Sequence, residues 1–375
     1  MHLDRNDYYG GDEAALSLHE AAEWALKHRG AAPEEACSSF SSARVSPAAK
    51  TEDDEKKLGS SRAYSLALTP KILYARSKIL PALVSSRTHN QLEFQAVGSW
   101  FTVSNDGDDA KITRVPSGRE DIFRDDSLDL RAKRSLMKFL RFVGSYDEES
   151  EQERWNEIKQ QPIGAALGDH FGLKSDTAVA PLLALALTPG SERGTTVEQA
   201  VPRIARHLRN IGMFGAGFGA VMPRWGGLAE IAQVACRACA VGGGVYVLGK
   251  GTASGAIGDD GTLRLELSDG EKVSASWLVG SPDDLPPQLR AASSATETEI
   301  VTRSISIVSS PLQALFPATS EGGITPAAAV AAVNPGGPDS TPVRILVRSG
   351  ESGECPDGKC KSTYPLGIYS ATSLR

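Results

Sequence analysis

The sequence predicts a mixed α/β fold in two parts, a sheet domain of the dinucleotide-binding type interrupted by a smaller helical insert. Three observations carry this reading. The chain opens on His2-Leu3-Asp4, a short run ending in an acid where the second strand of a dinucleotide-binding sheet ends. From about residue 118 to 222 the apolar residues fall at helical spacing. After Gly244 short alternating runs resume and continue to the end.

Taken in order, Ser17–His28 carries Leu18, Ala21, Ala22, Ala25 and Leu26 at helical spacing and reads as a helix. Residues 30–63, rich in Ala, Ser, Glu and Lys with two prolines, read as a loop or disordered insert. Leu66–Leu83 is expected to be a helix opened by Pro70, with Ile72, Leu73, Ile79 and Leu83 on its apolar face. Leu92–Val115 alternates around the polar turn Asn105-Asp106-Gly107-Asp108-Asp109 and predicts a β-hairpin. Leu136, Phe139, Leu140 and Val143 then fall at i, i+3, i+4 and i+7, an amphipathic helix. Helical spacing continues through Trp155–Ile163, Ala178–Leu187 and Val197–Ile211, the last interrupted by Pro202. A small-residue helix over Glu230–Ala240 ends at Gly242-Gly243-Gly244, and Val245–Leu248 follows as a strand. Strands are expected within 253–280, with Leu263, Leu265 and Leu267 on one face and a turn at Ser268-Asp269-Gly270, and again over Ile300–Val308 and Val343–Val347.

At 375 residues the chain is long enough for about two domains, and its 41% hydrophobic content is enough to build their cores. A formal net charge of −6 argues against a nucleic-acid partner, which demands a basic surface. No run of 18 apolar residues and no basic-then-apolar leader is present, so a cytosolic protein is expected. Five cysteines are too few and too odd for a disulfide framework and read as free thiols.

No catalytic constellation emerges. The six histidines, at 2, 19, 28, 89, 170 and 207, lie in no metal-ligand spacing and read as surface or capping residues. There is no nucleophile elbow and no phosphate-binding loop of the Gly-Lys-Ser/Thr kind. Cys236 and Cys239 form a Cys-x-x-Cys spacing open to two readings, metal or redox chemistry on one side and compact hydrophobic packing on the other. No second pair with zinc-ligand spacing accompanies them; Cys355 and Cys360 lie in a separate short loop. The run Gly242-Gly243-Gly244 marks either close backbone approach to a cofactor or a tight helix-to-strand turn, and the turn is favoured because no fingerprint precedes it.

Several blocks, in order, resemble one family. Asp4-Arg5-Asn6-Asp7-Tyr8-Tyr9-Gly10-Gly11 is similar to the first conserved block of Rab escort proteins and Rab GDP-dissociation inhibitors. Pro70-Lys71-Ile72-Leu73 with Arg76-Ser77-Lys78, Leu92-Glu93-Phe94 and Lys133–Leu140 follow. Glu230–Val241, with the glycines and Val245–Leu248, resembles a second block of the Rab-binding platform, and Cys-Arg-Ala-Cys-Ala-Val resembles the escort branch. Gly353-Glu354-Cys355-Pro356 is similar to fungal escort proteins.

The resemblance implies a large FAD/NAD(P)-binding-like domain, 1–117 with 223–375, that binds the GTPase, and a helical domain, 118–222, that receives prenyl groups and docks the geranylgeranyltransferase. Tyr9, Glu230, Arg237, Val245 and Arg5 would be the Rab-binding residues. Tyr and Arg suit interfaces, and Glu230 and Arg237 lie two turns apart on one helix face, which on spacing alone reads equally as a solvated face. The partners implied are GDP-bound Rab GTPases, the transferase and transiently a membrane. No cofactor, metal or catalytic residue is implied, and the chain would be an accessory subunit. The alternatives are a GDP-dissociation inhibitor that recycles Rabs and a flavin-dependent oxidoreductase of the same fold. The family pattern also leads one to expect a first strand, glycine loop and helix upstream of Met1 and a further segment after Arg375. Their loss would expose sheet edges and part of the core.

Overall fold

The computed structural model describes residues 1–30, 40–46, 59–106, 109–117, 119–173, 176–188, 190–215, 217–281, 284–290, 301–308, 312–318, 324–333, 342–350 and 364–371. Most of the 30–63 insert, the centre of the hairpin turn, Cys355, Cys360 and the block around Gly353 lie outside the described residues. The chain divides into two compact units. The first comprises Met1–Pro70, Ser86–Leu92 and Trp225–Thr298, the second Lys71–Ser85, Glu93–Arg224 and Glu299–Arg375.

In the first unit the strand His2–Asp4 pairs in parallel with Tyr246–Leu248, in the register His2↔Tyr246 to Asp4↔Leu248. Asp4 thus ends a strand, as predicted. The helix Leu18–Lys27 follows a second short strand, Ala15–Leu16, and is closed at both ends by its own sequence. Ser17 Oγ accepts from the Glu20 amide at 3.4 Å while Glu20 Oε2 accepts from the Ser17 amide at 2.8 Å, a reciprocal cap that satisfies two free donors. Ala15–Leu16 pairs antiparallel with Leu66–Ala67. Thr252–Ile257, Leu263–Leu267 and Lys272–Ala275 form a three-stranded antiparallel sheet, and the Leu265 and Leu267 side chains are buried on one face as their alternation requires.

The expected helix over 66–83 is a correction. Only Ile79–Ser85 is helical, and the residues before it pair as strands, Leu66 with Leu16 and Leu73 with Val221. Apolar residues spaced for a helix were here also spaced to lie buried in two separate ladders, and pairing partners distant in sequence decided between them.

The second unit is a sheet with helices on one face. Strand order is 301–308, 364–371, 343–348, 328–333, 94–106, 220–223 and 73–74, with 109–114 completing the predicted hairpin on 94–106. Among the described residues six α-helices, Arg119–Arg124, Leu130–Ser145, Gln152–Ile158, Ile163–Phe171, Asp176–Ala186 and Val197–Asn210, come from the 118–222 segment. Phe139, Phe142, Val143, Ile163, Leu167, Val201 and Ile204 pack with Val97, Trp100, Ala328, Val330 and Leu346 of the sheet. The alternate residues Ala329 and Ala331 face the other side, against Leu315 and Phe316. The strand Ala328–Val333 is almost wholly buried, which is why it escaped a search for polar-apolar alternation.

One histidine also departs from the surface reading. His207 is 6% exposed, with Nδ1 3.3 Å from the Tyr74 hydroxyl and its ring 4.4 Å from that of Trp100. Burial pushes its pKa down to about 4 and that of Tyr74 up to about 12. His28, by contrast, ends the first helix, its Nδ1 2.8 Å from the Trp24 carbonyl oxygen.

Candidate partner-binding site

All five residues singled out from the sequence fall in the first unit, on three pieces of chain: the turn after Asp4, the helix Leu228–Val241 and the start of the strand Tyr246–Leu248. The turn is built by local chemistry. Asp4 Oδ1 accepts from the backbone and side-chain nitrogens of Asn6, each at 3.0 Å, and the carbonyls of Asn6 and Asp4 accept from the amides of Gly249 and Lys250. The helix Leu18–Lys27 tethers the same turn through Lys27 to Asp7 at 2.6 Å and Trp24 Nε1 to the Tyr8 hydroxyl at 3.1 Å. These ties fix the residue that follows, Tyr9.

Tyr9 stands in an aromatic group. Its ring lies 5.4 Å from His2 and 5.8 Å, edge-on, from Tyr246, and His2 stacks on Tyr246 at 4.9 Å. Desolvation raises the Tyr9 pKa, helped by the nearby Cys236 thiol. The turn thus lies close to the helix at the residue preceding Arg237.

The helix Leu228–Val241 is seated at one end and open along the rest. Leu228 and Ala229 are buried, whereas Arg237, Ala238, Cys239, Ala240 and Val241 are exposed. Gly226 permits the seating, because a Cβ there would lie 2.8 Å from both the Ala15 Cβ and the Ser65 Oγ. At the far end Gly243, with φ +93°, turns the chain into the strand, the helix-to-strand turn favoured from sequence.

The five candidates differ in how free they are. Arg237 is exposed and has neither a hydrogen bond nor an ion pair among the described residues. Val245 is 57% exposed, and its carbonyl accepts from the His2 amide at 2.7 Å, joining the two strands. Glu230 carries a structural duty, accepting from the Trp225 amide at 2.8 Å before the first turn of the helix. Arg5 is held by Asp284, whose other carboxylate oxygen accepts from Ser281 Oγ at 2.6 Å. Burial of Asp284 works against ionisation, but the Ser281 hydroxyl and Arg5 together outweigh it and hold the carboxyl below its ordinary value. Sequence reasoning missed Tyr246 and His2 as the ring partners of Tyr9; the strand pairing that brings them together joins residues more than 240 apart.

The profile of the GDP dissociation inhibitor family matches residues 1–332. The chain belongs to that family. It is 30% identical over 287 residues, 76% of its length, to the Saccharomyces cerevisiae Rab proteins geranylgeranyltransferase component A, and 27% identical over 371 residues to the Candida albicans protein of that name. It is also 27% identical over 314 residues, 83% of its length, to guanosine nucleotide diphosphate dissociation inhibitor 1 of Arabidopsis thaliana. The chain spans about half the length of the two fungal relatives, 44% and 54%. In fold it is similar to the Rab GDI of Plasmodium falciparum, with a TM-score of 0.64 over all of this chain and 77% of that one at 20% identity. A Methanosarcina mazei oxidoreductase shares the fold at a TM-score of 0.55 and 12% identity, covering 99% of this chain and 73% of its own. The sequence relatives are thus named for a component of a geranylgeranyltransferase on one side and for GDP-dissociation inhibition on the other.

Proposed function

We propose that this chain is the Rab-binding part of a Rab escort protein: it holds GDP-bound Rab GTPases and presents their C-termini to the geranylgeranyltransferase, in the cytosol with transient delivery to membranes. One observation carries the reading. Arg237 is exposed and its side chain unpaired among the described residues, on a helix whose preceding residue, Cys236, lies near Tyr9, and Val245 is exposed just before the strand Tyr246–Leu248. An arginine and a tyrosine on a rigid, small-residue surface are the side chains that anchor protein interfaces. The fungal relatives named as transferase component A favour the escort branch over an inhibitor that only recycles Rabs. The helices of 118–222 are the proposed seat of the prenyl groups and of the transferase.

Arg237 and Val245 are assigned to the partner, with Tyr9 as an aromatic anchor packed against His2 and Tyr246. Glu230 and Arg5 act through the platform's own structure. The test is binding of a GDP-loaded Rab to the purified chain, measured by isothermal titration for wild type and Arg237→Ala. A loss of tenfold or more in affinity, with an unchanged unfolding midpoint, supports the assignment. Equal affinities overturn it.

A further inference from the structure

Cys236 and Cys239 lie three residues apart and therefore on one face of the helix Leu228–Val241. Both are free thiols; Cys236 is partly buried and Cys239 exposed. Each has a phenol close by: the Tyr9 hydroxyl interacts electrostatically with Cys236 and the Tyr246 hydroxyl with Cys239. Cys239 is also closely seated, since a Cβ at Gly244 would lie 2.6 Å from its Sγ. Its sulfur thus rests over the glycine run that follows the helix.

We infer that Cys236 and Cys239 are a redox pair, oxidised by a hydroperoxide to an intrahelical disulfide that loosens the last turn of the helix and turns the Arg237 platform off. The regulatory half rests on the Rab-binding reading; the disulfide itself does not. Helical residues three apart have Cβ atoms about 5–6 Å apart, and a disulfide needs about 3.5–4.5 Å. Closing the bond requires a shift of about 1–2 Å. The shift is available because Cys239 sits in the final turn, where the Cys239 carbonyl accepts from Gly244 at 2.9 Å and three consecutive glycines follow. Because Arg237 lies between the two cysteines on the same helix, the shift also moves the backbone that carries it.

The chemistry balances with the peroxide as the only oxidant. The exposed Cys239 gives up its thiol proton and its sulfur attacks the terminal peroxide oxygen; the O–O bond breaks, leaving a sulfenic acid and a hydroxide, or the alkoxide of an organic hydroperoxide, that takes up that proton as water or alcohol. Cys236 then attacks the Cys239 sulfur, the S–O bond breaks, and hydroxide leaves with the Cys236 proton as water. Two thiols lose two electrons and one peroxide gains them.

The sequence provides a direct readout. Trypsin cuts after Arg237, between the two cysteines, and so separates 225–237 from 238–250. Native protein is reduced, treated with hydrogen peroxide, alkylated, then denatured and digested without reductant. The two peptides are expected to appear covalently joined, to separate with dithiothreitol, and to stay separate in Cys236→Ser. Recovery of the two peptides apart, each carrying sulfinic or sulfonic acid, or of a link only between two molecules, overturns the pair. For the regulatory half, peroxide-treated protein is expected to bind GDP-loaded Rab at least tenfold more weakly, with recovery on reduction. Whatever the affinity of Cys239→Ser, peroxide should leave it unchanged. A cross-linked protein that binds as the reduced one does overturns the switch. A reduced protein that binds no Rab contradicts the functional reading and leaves the cross-link result to stand by itself.

Discussion

Acid should destabilise this protein through one buried imidazole. His207 has an ordinary pKa of 6.5 that burial lowers to about 4 in the folded chain. Because the unfolded chain binds the proton more readily, the stabilisation is fully present above pH 6.5 and is lost as pH falls toward 4. Between pH 7.5 and 5.0 the loss works out at about 2 kcal/mol, and below pH 4 at about 3 kcal/mol, from roughly 1.4 kcal/mol per unit. The perturbation to compare is His207→Leu, which removes the titrating group and leaves the Tyr74 hydroxyl without its partner at 3.3 Å. That variant should be less stable than wild type at pH 7.5 by about 1–3 kcal/mol. Its further loss on going to pH 5.0 should be smaller than the wild-type loss by about 2 kcal/mol. Urea unfolding followed by far-ultraviolet circular dichroism at the two pH values gives all four free energies. Equal pH dependence in wild type and variant would refute the reasoning, since carboxylates elsewhere act on both alike.

Three further outcomes follow from packing. Phe139→Ala removes a side chain that is 1% exposed and lies 5.1 Å from the Phe171 ring, and should cost about 3–5 kcal/mol in urea unfolding. Gly219→Ala would set a Cβ 2.7 Å from the Asn210 carbonyl and should lower the melting temperature by several degrees, whereas Gly144→Ala, with nothing within 4 Å on a helix, should hold or raise it. Glu230→Ala removes the acceptor of the Trp225 amide and should cost about 1 kcal/mol of stability, while Arg237→Ala should leave stability unchanged; unfolding midpoints of the pair separate platform-building from partner-binding residues.

What the sequence made legible was local. The spacing of Leu18, Ala21, Ala22 and Ala25 gave away the first helix, that of Leu136, Phe139 and Val143 the core face of another, and Leu265 with Leu267 a strand face. What it hid depends on distant pairing. Leu66–Ala67 and Leu73–Tyr74 are strands only because residues 15–16 and 220–221 meet them, and Ala328–Val333 is a strand because both its faces are covered. The same limit applies to the site. Tyr9, Glu230 and Arg237 were found through the resemblance, but the sequence could not show that Glu230 serves the helix start, that Arg5 is committed to Asp284, or that His2 and Tyr246 enclose Tyr9. Nor could it tell a buried histidine from five others, since the burial of His207 comes from the strand residues Tyr74 and Trp100.

The central claim is that this chain presents Rab GTPases for prenylation, and a reconstituted transfer reaction addresses it most directly. Purified chain is added to a GDP-loaded Rab, geranylgeranyl diphosphate and the transferase heterodimer, and incorporation of the prenyl group into the Rab is followed by mass spectrometry. Transfer that requires the added chain and falls at least tenfold with Arg237→Ala is the predicted result. A folded chain that binds Rab yet supports no transfer would place it with the recycling inhibitors, and one that neither binds nor supports transfer would contradict the account.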